Sequence, residues 1–246
     1  MVISVQSWPD DALQRSLVLG RPYLAQNHKN GVCFIDVGAH YGETFQSLQT
    51  SLTNELVNYI GLEPDPRNYL EASQNIVHTN SNFSSVQLLS KCAGAEISVV
   101  QFHQCKSDVV SGVLQSDLGL KERVPDGDHD SVQTIEVVQT TIDKIVEESM
   151  INTTTFNILK VDTEGYDLQV LLGAKQALEH QFIDIVISEF FCVRYRERQG
   201  YLWDSMQYLS SKDYLFDNFY DARNTTQGRL YTGNILFVSP RIARLN

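Results

Sequence analysis

Seven short apolar runs recur along the chain: VCFIDVG (32–38), LVNYIGLE (56–63), VQLLSKCA (86–93), FNILKVD (156–162), IDIVISEF (183–190), YLFDNFY (214–220) and NILFVS (234–239). Each is too short for a core helix and is continuous rather than alternating, the pattern of a strand buried on both faces. Between the first three lie GETFQSLQTSLT and PRNYLEASQNIVHT, both of helical length. Strands and helices in alternation require right-handed crossovers and therefore a parallel sheet. The expected fold is α/β, a doubly wound, Rossmann-like sheet.

Residues 96–140 break this rhythm. EISVVQFHQ and TIEVVQTTI read as two extra strands, an inserted β segment, around the polar stretch GLKERVPDGDHDSVQ. Asp126, Asp128 and Asp130 alternate there as in a calcium loop, but Ser131 stands where an EF-hand needs glycine and Val137 where it needs a bidentate glutamate. At the other end, apolar Leu13, Leu17, Leu24 and Ala25 behind PDD predict a capped leading helix over 10–28, broken or kinked near Pro22. No repeat or Pro/Gly-rich linker divides the rest. The expected organisation is an N-terminal helical cap (1–29) on one domain (30–246).

With 19 basic against 30 acidic side chains the net charge is −11, which argues against a nucleic-acid partner and for a small-molecule one. No stretch approaches the ~18 apolar residues of a membrane span. MVISVQSWPDDALQRS has no basic start leading into an apolar run, so no membrane partner and a cytoplasmic location are expected. Cys33, Cys92, Cys105 and Cys192 lie far apart without C-x-x-C or zinc spacing, and read as free thiols. Nothing in the composition fixes an oligomeric state.

The first run leads into FIDVGAHYGETF (34–45). In a doubly wound sheet a ligand sits at the carboxyl ends of the strands, beside the point where strand order reverses, and the first strand borders that point. Gly38 and Gly42 there allow positive φ and close approach of a ligand to the backbone. The spacing is not the dinucleotide G-x-G-x-x-G: His40 replaces its second glycine, and Glu43 at the helix start would repel a pyrophosphate. Glu63, followed by Pro64, ends the second run, where a carboxylate can accept from both hydroxyls of a ribose. Ribose without pyrophosphate points to S-adenosylmethionine. The plain alternative is an ordinary tight strand–helix turn.

NILKVDTEG places Lys160 and Asp162 on one side of the fourth parallel strand, with Glu164 just beyond, and ISEF puts Glu189 at the end of the fifth. Neighbouring strands lie roughly 4.8 Å apart, so three carboxylates would converge on the ligand crevice. Methyl transfer to oxygen needs alignment and removal of a hydroxyl proton. A carboxylate or a lysine of lowered pKa could be the base, or Asp162 and Glu189 could hold Mg²⁺. Alternatively Lys160 merely pairs with a carboxylate, and Glu164 caps the helix begun by YDLQVLLGAKQAL.

Taken together, FIDVGAHYG, IGLEPDPRNYLEASQN, TTIDKI, NILKVDTEGYDLQVLLGA and VISEF resemble, in this order, the FkbM family of S-adenosylmethionine-dependent methyltransferases over roughly 30–240. The resemblance implies a class I methyltransferase sheet, mostly parallel with an antiparallel last strand, that methylates a hydroxyl of a sugar, polyketide or other secondary metabolite. It makes Asp36, Gly38, Ala39, His40, Tyr41 and Gly42 the cofactor turn, Glu63 and Pro64 the ribose end, and Lys160, Asp162, Glu164 and Glu189 the catalytic cluster. SKCAGAE lacks the aspartate that many methyltransferases place near adenine, leaving that contact unassigned. FFCVRYRERQGYLW, with Arg194, Arg196 and Arg198, and the 103–133 insertion are the candidate acceptor clamp and lid. Two rival readings are an N-methyltransferase acting on a small amine and a non-catalytic protein keeping the fold; a nucleotide-linked dehydrogenase is disfavoured by His40 and Glu43.

Overall fold

All six residues of strand β1 (Val32–Val37) are buried, and successive side chains feed opposite faces of the sheet. Cys33, Ile35 and Val37 belong to one apolar layer, Val32 and Phe34 to the other. The computed structural model describes residues 10–26, 31–53, 55–76, 83–116, 130–149, 151, 154–194, 196–225 and 227–245. Within them the chain runs α1 (Asp10–Gln26), β1, α2 (Glu43–Ser51), β2 (Val57–Leu62), α3 (Pro66–Ile76), β3 (Phe83–Leu89), β4 (Cys92–Ala93), β5 (Ser98–Cys105), a 3₁₀ turn (Asp108–Val110) and β6 (Ser131–Thr140). It continues through α4 (Ile142–Glu148), β7 (Phe156–Val161), α5 (Asp167–Leu172), α6 (Lys175–Glu179), β8 (Ile185–Phe191), α7 (Leu202–Ser210), β9 (Leu215–Asn224), β10 (Leu230–Val238) and α8 (Pro240–Ala243).

The main sheet has seven strands in the order β3-β2-β1-β7-β8-β10-β9. Pairings are parallel except at β10, which runs antiparallel to both β8 and β9. The chain builds outward from β1 to β3, then returns to lay β7 on the other side of β1, so strand order reverses between β1 and β7. Helices α1, α2, α3 and α8 pack on one face through Leu13, Leu17, Phe45, Leu48, Ala72 and Ile242. The other face carries α4 to α7 through Ile142, Ile145, Val170, Ala177 and Leu209. This is the expected doubly wound α/β architecture with an antiparallel last strand.

The inserted segment forms its own three-stranded sheet, ordered β4-β6-β5, with β5 and β6 antiparallel. Three local expectations are corrected. VQLLSKCA is not one strand: β3 stops at Leu89, and Cys92–Ala93 pair with Gln139–Thr140 of β6, so the chain leaves the main sheet. YDLQVLLGAKQAL is not one helix but two, divided at Gly173, where a Cβ would fall 1.9 Å from the Gly94 carbonyl oxygen. Helix α1 runs unbroken through Pro22 because its buried face, Ala12, Leu13, Leu17, Leu19 and Tyr23, is held against the sheet; its expected cap lies outside the described residues. Asp126 and Asp128 also lie outside them, whereas Asp130 faces Lys106 at 3.7 Å on the surface.

Among the described residues no helix is long and apolar enough to cross a membrane. The four cysteines are free, three of them buried.

Gly20 lies in the middle of α1, where an alanine ordinarily adds up to about 1 kcal/mol of stability. Its Cβ, however, would fall 2.4 Å from two ring carbons of Phe156 in the sheet. Gly20→Ala is therefore expected to destabilise, by about 1–3 kcal/mol in urea unfolding; a gain in stability would show that this helix does not press on β7 as described.

Candidate active site

The loop after β1 accounts for its own backbone. The N–H groups of Gly38 and Ala39 donate to the Leu62 carbonyl, and that of Gly42 to Ala39. The amide of His40 donates to Glu63 Oε2 at 2.8 Å, and that of Tyr41 to Glu43 Oε2 at 3.1 Å. No N–H from 38 to 42 is left to cradle a phosphate, which is a stronger exclusion of a dinucleotide than the spacing alone. Glu43 also accepts from or pairs with His40 Nδ1 at 2.9 Å. Burial pulls the His40 pKa down, and the hydrogen bond and charge of Glu43 carry it above its ordinary value. Gly38 has φ +84, and a Cβ there would sit 1.9 Å from the Asp162 carbonyl oxygen, so the first loop can meet the β7 loop only through glycine.

Glu63 is 4% exposed, with Oε1 accepting from the Asp65 amide at 2.8 Å in addition to the His40 contact. Each carboxylate oxygen thus holds one backbone donor and keeps a lone pair. Desolvation pushes its pKa up to about 7, partly offset by those two N–H groups.

Beneath the cavity floor Asp36 is fully buried, accepting from Tyr59 Oη at 2.8 Å, and Lys160 Nζ lies 3.2 Å from Asp36 and 3.4 Å from Asp162. Burial lowers the Lys160 pKa, but Asp36 and Asp162 outweigh it and the ammonium is held more firmly than in water. The expected lysine base of lowered pKa is therefore corrected: Lys160 is a fixed positive charge. Above it, Asp162, Glu164 and Glu189 bring one carboxylate oxygen each to within 4.8 Å of one another. Glu189 is pushed well above the usual carboxylate range by desolvation and by the charges of Asp162, Glu164 and Asp167. Asp167, buried under the same loop, rises to about 7 for the same two reasons, burial and Asp162. Glu164 does not cap the next helix; it reaches Arg196 Nη2 at 3.5 Å.

These groups border a cavity of about 680 Å³, within the roughly 300–1,000 Å³ of small-molecule sites. Gly38, Ala39, His40, Glu63, Pro64, Lys160, Asp162, Glu164 and Glu189 line it; Asp36, Tyr41 and Gly42 do not. Tyr41 instead stacks on His40 with ring centroids 3.7 Å apart and hydrogen-bonds Asp108 of the insertion.

The described part of the insertion forms a wall of this cavity: Phe102, Asp108 and Val110, with Lys91 and Cys92 just before it, line the cavity beyond Glu63. Residues 117–129 of the expected lid lie outside the described residues. Arg67 ties the wall down, donating to Asp65 Oδ2 at 2.6 Å, the Cys105 carbonyl at 3.1 Å and Ser111 Oγ at 3.2 Å. Arg196 is 1% exposed and donates to Ser116 Oγ at 2.6 Å and to the Val110 carbonyl. It is a strap: Arg196 does not line the cavity, which corrects its expected place in the acceptor clamp. The opposite wall comes from β9 and β10, with Asp221, Arg223, Thr232 and Asn234. A bulge sets Asp221 and Ala222 against Gly233, with Asp221 at φ 50, a device that re-aims side chains at site edges. No apolar period or motif marks these wall residues; the bulge and the fold-back of the insertion are tertiary events.

The sequence profile of the FkbM methyltransferase domain matches residues 36–216, more than half of the 246, and the chain belongs to that family. Among solved structures, the FkbM methyltransferase of Methylobacillus flagellatus KT superposes with a TM-score of 0.51 at 18% identity, covering 94% of this chain and 55% of that one. The chain thus spans little more than half of that protein. The small RNA methyltransferase HEN1 aligns at TM-score 0.48 and 9% identity over 98% of this chain and 27% of that one. Magnesium protoporphyrin IX methyltransferase from Synechocystis PCC 6803, solved with bound S-adenosylmethionine, aligns at 0.37 and 12% over 95% and 86%. No curated protein matches the sequence.

Lys160→Met would leave Asp36 buried beside Tyr59 without its counter-charge, at a cost of about 3–5 kcal/mol. Urea unfolding is expected to register that loss, and Asp36→Asn combined with Lys160→Met to recover most of it. A single variant as stable as the parent would mean that the pair does not bind the two central strands together.

Proposed function

We propose that the chain transfers the methyl group of S-adenosylmethionine to a hydroxyl of a small metabolite. The observation that carries this reading is the loop whose five amides, from Gly38 to Gly42, are all satisfied while Glu63 keeps spare acceptor capacity at the cavity wall. That arrangement suits a ribose and offers nothing to a pyrophosphate. Membership of a methyltransferase family supports the reaction class. The cofactor supplies an electrophilic methyl on a sulfonium. Beyond Glu63, Phe102 and Val110 give a flat apolar wall for the adenine, with Asp108 and Lys91 as polar edges, filling the contact that SKCAGAE left unassigned.

At the other end the acceptor oxygen bonds to the methyl carbon, the C–S electron pair stays on sulfur, and the hydroxyl proton leaves toward the acidic cluster. Asp162 is the leading group for that proton, since it stands at the cavity edge, 31% exposed, with Lys160 behind it.

Calorimetry with S-adenosylhomocysteine is expected to show micromolar binding that weakens by about 1–3 kcal/mol in Glu63→Ala, the size of a lost polar contact. No heat with either protein would favour a non-catalytic role for the fold. Ribose hydroxyls donate best to the ionised carboxylate, so the parent's affinity should fall as pH drops through about 7, and Glu63→Gln should flatten that dependence. Asp162→Asn should keep cofactor affinity while losing about 10²–10⁴-fold in turnover; unchanged turnover removes Asp162 from the reaction.

A further inference from the structure

Three carboxylates from different segments converge in the cavity: Asp162 after β7, Glu164 in the following turn, and Glu189 on β8, each with an oxygen within 4.8 Å of the others. Two cations face this group: Lys160, which pairs with Asp162 at 3.4 Å and is shared with Asp36 at 3.2 Å, and Arg196, which reaches Glu164 at 3.5 Å. Like charges so close are unfavourable unless a proton or a cation joins them.

A second observation comes from a different strand. Asn234 on β10 stands directly opposite Glu189 in the antiparallel register, lines the same cavity and is 7% exposed. Its amide oxygen is buried and accepts no hydrogen bond, and neither does Glu189 Oε2. A buried acceptor left unmatched costs about 1–3 kcal/mol, and two of them on residues lining one acidic cavity call for an absent electron-pair acceptor, either a proton on Glu189 or a cation. We propose that Asp162, Glu164, Glu189 and the Asn234 amide oxygen bind a divalent cation of the size of Mg²⁺ or Mn²⁺.

The donor set is all oxygen, three charged and one carbonyl, which is the preference of hard divalent ions and not of zinc or copper. At metal–oxygen distances of about 2.1 Å, octahedral ligands lie about 3 Å apart when adjacent and about 4.2 Å when opposite, inside the spread of the three carboxylates. The remaining positions would hold water or the acceptor hydroxyl. A bound ion would supply acidity to a coordinated hydroxyl, whose proton then leaves to water or a free carboxylate oxygen. This role in turnover rests on the methyl-transfer reading above; cation binding itself does not.

The test uses the full chain stripped of metal by chelation, titrated with Mn²⁺ while the resonance of free aqueous Mn²⁺ is followed by electron paramagnetic resonance, with and without S-adenosylhomocysteine. One site per chain is expected, emptied by excess Mg²⁺. Glu189→Gln and Asn234→Leu should each weaken it at least about tenfold, a loss of the size seen when even supporting partners are removed at known metal sites. Asn234→Leu is the diagnostic variant, because it leaves the negative charge that would attract ions diffusely unchanged. Asn234→Asp, which restores an oxygen, should recover binding and guards against a leucine variant that fails to fold. Absence of a stoichiometric site up to millimolar Mn²⁺, or binding unchanged in Asn234→Leu and Glu189→Gln, overturns the proposal and leaves a cationic group of the acceptor as the occupant. Calorimetry with S-adenosylhomocysteine separates the two readings: cofactor binding without Mn²⁺ binding defeats only the cation site, and the reverse defeats only the methyl-transfer reading.

Discussion

Lys160 is the charge on which the centre of this molecule depends. Its ammonium lies between Asp36 on β1 and Asp162 after β7, so it bridges the two strands at which the sheet changes direction. Strand order reverses here, and a crevice opens at such a point because the flanking connections leave to opposite sides. An ion pair buried on that line is costly to desolvate, and Asp36 and Lys160 meet it by standing directly opposite each other in the β1–β7 ladder. Through Asp162 the same charge positions the first of the cavity carboxylates. Strand pairing and chemistry thus meet at one side chain.

Around that centre, the cavity is made by segments that cross from one part of the sequence to another. Arg67 at the start of α3 grips the insertion at Cys105 and Ser111, Tyr41 grips it at Asp108, and Arg196 grips it at Val110 and Ser116. Arg196 also touches Glu164, so the insertion wall and the acidic cluster share a partner. Displacing the insertion would therefore disturb the carboxylates, even though β5 and β6 lie in a sheet of their own.

The sequence made the main sheet legible because its strands are buried on both faces and so read as unbroken apolar runs. Glu63 and the Asp162, Glu164, Glu189 set were legible for a related reason: polar residues at the ends of such runs stand out, and topology carries the ends to one edge. What stayed hidden depended on contacts between distant segments. Asn234 opens an apolar run, and only the antiparallel setting of β10 against β8 places it opposite Glu189. Asp36, which the motif joined to the cofactor turn, lies fully buried under the floor, held there by Tyr59 and Lys160. Arg196 read as part of an acceptor clamp, and its contacts with Val110 and Ser116 of the folded-back insertion make it a buried strap instead.

The self-satisfied loop after β1 has a consequence for selection among adenosine-bearing compounds. A phosphate-bearing nucleotide gains affinity from free amides at such a turn, and here the amides from Gly38 to Gly42 are already committed to Glu63, Glu43 and neighbouring carbonyls. A phosphate laid against these five residues would meet the Glu63 and Glu43 carboxylates instead of donors, so the resting backbone of this loop itself selects against it.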